Sequence, residues 1–172
     1  IGSRFLQHFV NLCGLERHHS VLDVGSGIGR MAVALTDHLS KDGSYQGFDI
    51  VPSGINWCTK TITPLYPNFT FQLADIRNDT YNPRGGHNAS DYRFPYPDNH
   101  FYFTLLTSIF THMLPPDLEN YLSEIARTLG PGGRCLITYC LVTPDSLPRI
   151  QAGDTRPEFT HDLGNYWTSD PD

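Results

Sequence analysis

The segment Val21-Leu-Asp-Val-Gly-Ser-Gly-Ile-Gly-Arg30 holds the residues of this chain whose types and spacing best suit chemistry. A short apolar run carries one acid, Asp23, then gives way to glycines at 25, 27 and 29 just ahead of a stretch of helical period. Glycines spaced in this way let bare backbone and the unpaired N–H groups of a helix start come up against a ligand, and a carboxylate or phosphate is favoured there. The dinucleotide fingerprint places its third glycine three residues after its second, where this chain has Arg30, and Asp23 would repel a pyrophosphate. A ligand that suits the segment therefore carries an amino group as well.

Such a turn needs a frame, and the apolar pattern supplies one. Runs beginning at Val21, Tyr45 and Phe69 start 24 residues apart, the rhythm of consecutive βαβ units. Two further runs, Phe101 to Thr107 and Arg134 to Cys140, are apolar on both alternating faces, as strands covered by helices on both sides are. Helical spacing appears in Phe5 to Leu12 before Gly14, in Met31 to Leu39, and most clearly in Asp117 to Leu129. That last stretch puts Leu118, Tyr121, Leu122, Ile125 and Leu129 on one stripe and is closed by Gly130 and Pro131. The pattern predicts an α/β fold: a Rossmann-like, doubly wound, mostly parallel sheet in three αβα layers. One domain is expected over residues 1–172, with its core at about 18–141 and an irregular tail over 143–172. Residues 77–93 are polar and turn-rich, and form an active-site flap or a surface loop.

Composition narrows the partners. With 12 Lys+Arg against 18 Asp+Glu, the formal net charge of -6 argues against an electrostatic grip on nucleic acid. No apolar run approaches the length of a bilayer span, so no membrane partner is expected. Cys13, Cys58, Cys135 and Cys140 are irregularly spaced with no C-x-x-C pair, which fits reduced thiols in a cytoplasmic protein. The histidines show no ligand spacing that suggests a metal, and none is expected.

Taken in order along the chain, these motifs resemble the class I S-adenosylmethionine-dependent methyltransferases of small-molecule type, over roughly residues 18–141. Asp23, Gly25, Gly27 and Gly29 match the family's first motif, an acid followed by Gly-x-Gly-x-Gly. The resemblance implies S-adenosyl-L-methionine as cofactor, with S-adenosyl-L-homocysteine as product. It further implies that Ser26 and Arg30 belong to the cofactor turn, that Asp49 binds the ribose, and that Ile50 or Val51 lies against the adenine. Asp75, next to Ile76, corresponds to the acid that accepts from the adenine amino group. Phe94 to Phe101 and Thr107-Ser108-Ile-Phe-Thr-His-Met113 look like the fourth motif region, and Arg127 to Arg134 like the helix-turn-strand signature before the fifth strand. Two departures stand out. Tyr102 occupies a position usually acidic, and the 30 residues after the fifth strand look too few and too irregular for the family's last two strands, as in a truncated or partly observed chain.

The activity implied is methyl transfer to a small-molecule acceptor. The sequence lacks the Asp-Pro-Pro-Tyr-like run of amino-methylating nucleic-acid enzymes, the Pro-Cys nucleophile of pyrimidine-ring enzymes, and the Asp-Asn pair of the metal-dependent catechol type. His112, just beyond the fourth strand, and Tyr139, near the end of the fifth, are the candidate catalytic bases. His112 packed beneath the Pro115-Pro116 turn is the structural alternative. Trp57, Tyr92, Phe94 and Tyr96 are either acceptor-stacking aromatics or ordinary core. Two rival functions stand beside methyl transfer: a non-catalytic binding or partner subunit of the same fold, and an NAD-dependent dehydrogenase.

Overall fold

The computed structural model describes residues 2–156, 158–164 and 166–168. The chain divides into two compact units, Ile1–Thr138 and Tyr139–Asp172, and each is taken by itself.

The first unit is built as the apolar rhythm predicts. Helix α1 (Gly2–Asn11) leads into β1 (Ser20–Val24), followed by α2 (Arg30–Thr36), β2 (Ser44–Asp49), α3 (Pro52–Thr61) and β3 (Phe69–Leu73). The chain then runs through a long connection to β4 (Phe101–Leu106), α4 (Pro115–Thr128) and β5 (Leu129–Ile137). All four strand pairings are parallel, in the order β3-β2-β1-β4-β5. Side chains alternate across a strand, so β1 buries Val21 on one face of the sheet and Leu22 and Val24 on the other. The first face forms a core with Phe9 of α1, Met31 and Leu35 of α2, and Cys58 of α3; the second forms one with Ile125 of α4 and Phe94. These are the two cores of a three-layer Rossmann-like sheet.

Three local features differ from the sequence expectation. Helix α3 carries no strong amphipathic stripe, because its buried residues are only Gly54, Ile55 and Cys58; Pro52 at its first turn is the clearest helix-start signal. The fifth strand begins at Leu129 rather than Arg134, because the backbone turns extended directly after α4. Phe101 pairs with Leu129 and Phe103 with Arg134, so the Gly130–Gly133 turn bulges out between two ladder positions. Leu122, assigned to the buried stripe of α4, is 45% exposed.

The polar connection is tied down at several points. Arg77 N–H donates to the His87 carbonyl at 2.7 Å and His87 N–H to that of Asp75 at 3.1 Å. Asn120 of α4 donates its side-chain amide to the carbonyls of Ala89 and Tyr92 at 2.8 and 3.0 Å. The stretch that follows is held by a pair on α4. Glu124 accepts Phe94 N–H at 2.8 Å, and Arg127 donates to the carbonyls of Phe94 and Tyr96 at 3.0 and 2.8 Å while bonding both carboxylate oxygens of Glu124.

The second unit holds a short helix α5 (Leu147–Gln151) and a two-residue antiparallel ladder of β6 (His161–Asp162) with β7 (Trp167–Thr168).

Candidate functional site

The chain goes from β1 outward through β2 to β3, then returns to place β4 on the other side of β1. The crevice above β1 and β4 is therefore the topological switch point, where open α/β sheets take ligands. A cavity of about 350 Å³ lies there, within the range of small-molecule sites. It collects residues at the ends of four different strands and just beyond them: Val24, Gly25, Gly27 and Arg30 from β1; Phe48, Asp49, Ile50 and Val51 from β2; Ile76, Arg77 and Asn78 after β3; Thr107, Ser108 and Ile109 after β4. Tyr81 and Ala89 of the long connection, Met113, and Asp117 and Tyr121 of α4 complete the wall.

The glycine turn is fixed by its own backbone. Gly25 and Ser26 N–H both donate to the Phe48 carbonyl, at 2.9 and 3.0 Å, and Gly27 N–H donates to Asp49 Oδ2 at 2.8 Å. These three donors turn into the protein, so none of the three is left for a ligand. Gly27 has φ of 55°, and a Cβ there would meet nothing within 4 Å, so a side chain would fill the cradle itself. From behind, Gly54 of α3 permits a close approach: a Cβ there would lie 2.5 Å from the Gly27 carbonyl oxygen.

Asp49 is the acid of this floor. Its Oδ2 accepts Gly27 N–H and its Oδ1 accepts Val51 N–H, both at 2.8 Å. Each oxygen keeps lone-pair capacity for a ligand hydroxyl.

Asp23 sits deeper and is not part of the cavity wall. It is 1% exposed; Tyr45 donates its hydroxyl to Oδ2 at 2.5 Å, and Oδ1 has no partner, as is also true of the neighbouring Ser26 hydroxyl. Burial pushes this carboxyl up to about 7, against the opposing Tyr45 bond and with the Asp49 charge adding to the rise. The folded protein therefore holds a proton here between about pH 4 and pH 7 that the unfolded chain has released, and stability falls as pH rises through that window. Asp23→Asn cannot titrate. It is expected to flatten this slope, gaining on the wild type in urea melts at pH 8 relative to pH 5; parallel curves would show that Asp23 stays ionised.

Of the residues expected to bind a cofactor, Gly25, Gly27, Arg30, Asp49, Ile50, Val51, Ile76, Thr107 and Ser108 line the cavity. Asp23, Ser26 and Gly29 are buried beneath the turn, and Asp75 is exposed beside the cavity residue Ile76. His112 falls in a 3-10 turn over Phe110–His112, and its side chain lies outside the described ones. Tyr139 opens the second unit. Phe94 and Tyr96 are core aromatics: Phe94 meets Phe48 and Tyr121 at ring-centroid distances of 5.0 and 5.1 Å, and Tyr96 meets Phe101 at 5.1 Å. Ser108 is a strained residue, with φ of 62° in a non-glycine, which costs about 1–3 kcal/mol and persists only where its surroundings enforce it.

Tyr81 falls in the 77–93 stretch read as a flap or a surface loop, and sequence reasoning missed Asp117 and Tyr121 as site residues. Asp117 and Tyr121 are four apart on one helix face, a spacing that could have flagged them, but Tyr121 reads equally as a core residue. Burial pushes the Tyr121 phenol up, and the charges of Asp117 and Asp49 add to the shift.

Residues 21–133 match the methyltransferase domain family. Among solved structures, the chain superposes on a candidate S-adenosyl-L-methionine-dependent methyltransferase of Methanococcus maripaludis with TM-score 0.63, at 17% identity, covering 92% of this chain and 68% of that one. A SAM-dependent methyltransferase of Aquifex aeolicus gives 0.60 at 20% identity, covering 88% and 78%. Phosphoethanolamine N-methyltransferase 1 of Haemonchus contortus, solved with phosphoethanolamine and S-adenosylhomocysteine, gives 0.61 at 14% identity, covering 84% and 27%. The chain spans less than half the length of several of the solved structures it matches. At these identities the superpositions establish the fold, and the family match over residues 21–133 establishes the membership: this chain belongs to the methyltransferase domain family.

Proposed function

We propose that the protein transfers the methyl group of S-adenosyl-L-methionine to a small-molecule acceptor. The observation that carries the reading is the Asp49 carboxylate, locked by Gly27 and Val51 N–H at the floor of a cavity whose adjoining wall is the apolar pair Ile50 and Ile76. A fixed acid beside an apolar slot suits a ribose diol joined to a flat base. In this assignment Asp49 accepts from the ribose hydroxyls, Ile50, Val51 and Ile76 bracket the adenine, and Asp75 accepts from its amino group. Gly27, whose missing Cβ leaves open space, gives the methionine moiety room, Gly25 lines the same turn, and Arg30 pairs with its carboxylate.

The cofactor supplies an activated methyl group on a good leaving group, so the chain's own contribution is orientation. Thr107 and Ser108, on the β4 side of the cavity, complete the cofactor contacts, and His112 and Tyr139 are the residues proposed to take a proton where the acceptor carries one. The small-molecule assignment rests on the absent nucleic-acid motifs and on the net charge of -6. A cytoplasmic location fits the four free cysteines, and no helix among the described residues is long and apolar enough to cross a membrane.

Calorimetry tests the assignment. S-adenosylhomocysteine is expected to bind at one site per chain while NADH gives no heat, and the reverse would return the dehydrogenase reading. Turnover of a labelled methyl group on a panel of amines, phenols and carboxylates then separates an enzyme from a non-catalytic binding subunit.

A further inference from the structure

The strained residue in the cavity wall has a support outside it. Ser108 holds φ of 62°, in the left-handed region that a side chain disfavours. Its N–H donates to Thr138 Oγ1 at 2.8 Å, a bond from the turn after β4 to the end of β5. Thr138 is itself fixed, because its own N–H donates to the Leu106 carbonyl at 3.0 Å and so extends the β4–β5 ladder by one step. On the other side of Ser108, the tip of Ile109 lies 2.2 Å from where a Cβ on Gly25 would stand. The turn after β4 is thus pressed onto the glycine turn after β1, and these contacts run from the β5 ladder through Thr138, Ser108 and Ile109 to Gly25. Thr138 is not among the residues that line the cavity.

We propose that Thr138 is a positioning residue for the methyl-transfer site: its hydroxyl oxygen keeps Ser108 left-handed and so sets the Thr107–Ile109 wall against the glycine turn. The inference rests on the cofactor assignment above for the ligand, but the hydrogen bond can be tested without one. Thr138→Val keeps the shape and removes the acceptor, whereas Thr138→Ser keeps the oxygen. Ser108→Gly removes the conformational penalty, so the turn no longer needs the bond to hold its shape.

The experiment measures two quantities on the whole chain: exchange protection of the Ser108 amide by NMR without ligand, and S-adenosylhomocysteine affinity by calorimetry. Thr138→Val should lose the amide's protection and bind roughly tenfold more weakly, as loss of one structuring hydrogen bond implies. Thr138→Ser should stay within about twofold of wild type, and Thr138→Val made on top of Ser108→Gly should cost no more than about twofold against Ser108→Gly alone. Equal affinities for the Val and Ser variants, or a Thr138→Val penalty just as large in the Ser108→Gly background, would overturn the inference while leaving the cofactor reading intact. A wild type that fails to bind S-adenosylhomocysteine overturns the cofactor reading, and a Ser108 amide equally protected in the Val variant then overturns the Thr138 bond itself. Should Thr138→Val not fold, Thr138→Ser and Thr138→Ala decide: weakened binding by the Ser variant, or an Ala variant that binds as tightly as wild type, would overturn the proposal.

Discussion

Replacing Asp49 with alanine is expected to weaken S-adenosylhomocysteine binding by about a hundredfold or more. The carboxylate has two tasks in the proposed site. It fixes the floor by accepting Gly27 and Val51 N–H at 2.8 Å each, and it offers its remaining lone pairs to the ribose hydroxyls. Hydrogen bonds to a charged acceptor contribute about 1.5–3 kcal/mol each, so losing the ligand's pair alone reaches roughly a hundredfold. Asp49→Asn is a more demanding test. One carboxylate oxygen becomes an NH₂ group facing either Gly27 N–H or Val51 N–H, which sets donor against donor and pushes the glycine turn out of place. Asparagine should therefore bind nearly as weakly as alanine despite its matching shape. Calorimetry on both variants, with circular dichroism to confirm folding, checks this; affinities within about threefold of wild type would remove Asp49 from the site.

The second large effect falls on stability. Arg127→Ala should destabilise the first unit by about 3–5 kcal/mol, the cost of stranding one member of a buried ion pair. Arg127 and Glu124 have side chains only 15% and 11% exposed, and together they hold the backbone at Phe94 and Tyr96 against α4. The bond from Arg127 to Asp98 adds little, since that carboxylate is 62% exposed. In a chain of this size the loss corresponds to roughly 10 °C in melting temperature. Arg127→Lys keeps the charge but not the planar fork that reaches four partners, and should recover less than half of the deficit.

The pH dependence has a definite sign. Burial alone would raise Glu124, but the Arg127 bonds, Phe94 N–H and the Arg127 charge outweigh it and hold the carboxyl below its ordinary value. A depressed carboxyl stabilises above its unfolded pKa of about 4.3 and loses that contribution as pH falls through the folded value. The gap between wild type and Arg127→Ala should therefore be widest near neutrality and close in acid. Thermal melts from pH 7 down to pH 3 measure it, and a constant gap would mean that packing, not charge, carries the effect.

The positions legible in the sequence are those governed by near neighbours. Alternating apolar residues, glycines at fixed intervals and helical stripes depend on contacts a few residues away, so the parallel strands, the glycine turn and Asp49 at the end of β2 could all be read directly. The start of β5 was read too late because the Gly130–Pro131 turn, a sound helix stop, also sits inside a bulged ladder, and a bulge depends on the partner strand. Helix α3 is hard to see in the sequence because it hides few apolar side chains; its Gly54 serves a close approach to Gly27, which lies 27 residues earlier and leaves no local signal.

By itself the sequence determined the parallel sheet, the glycine turn and the family's motifs, since each follows from local periodicity or spacing. Only the tertiary structure decided which of those residues face a ligand. Asp23 is buried against Tyr45 instead of lining the cavity, while Asp117 and Tyr121 form part of its wall. It also joined Thr138 to Ser108 across two strands. A residue's environment is set by what packs over it, and those neighbours come from chain segments whose approach no short-range pattern encodes.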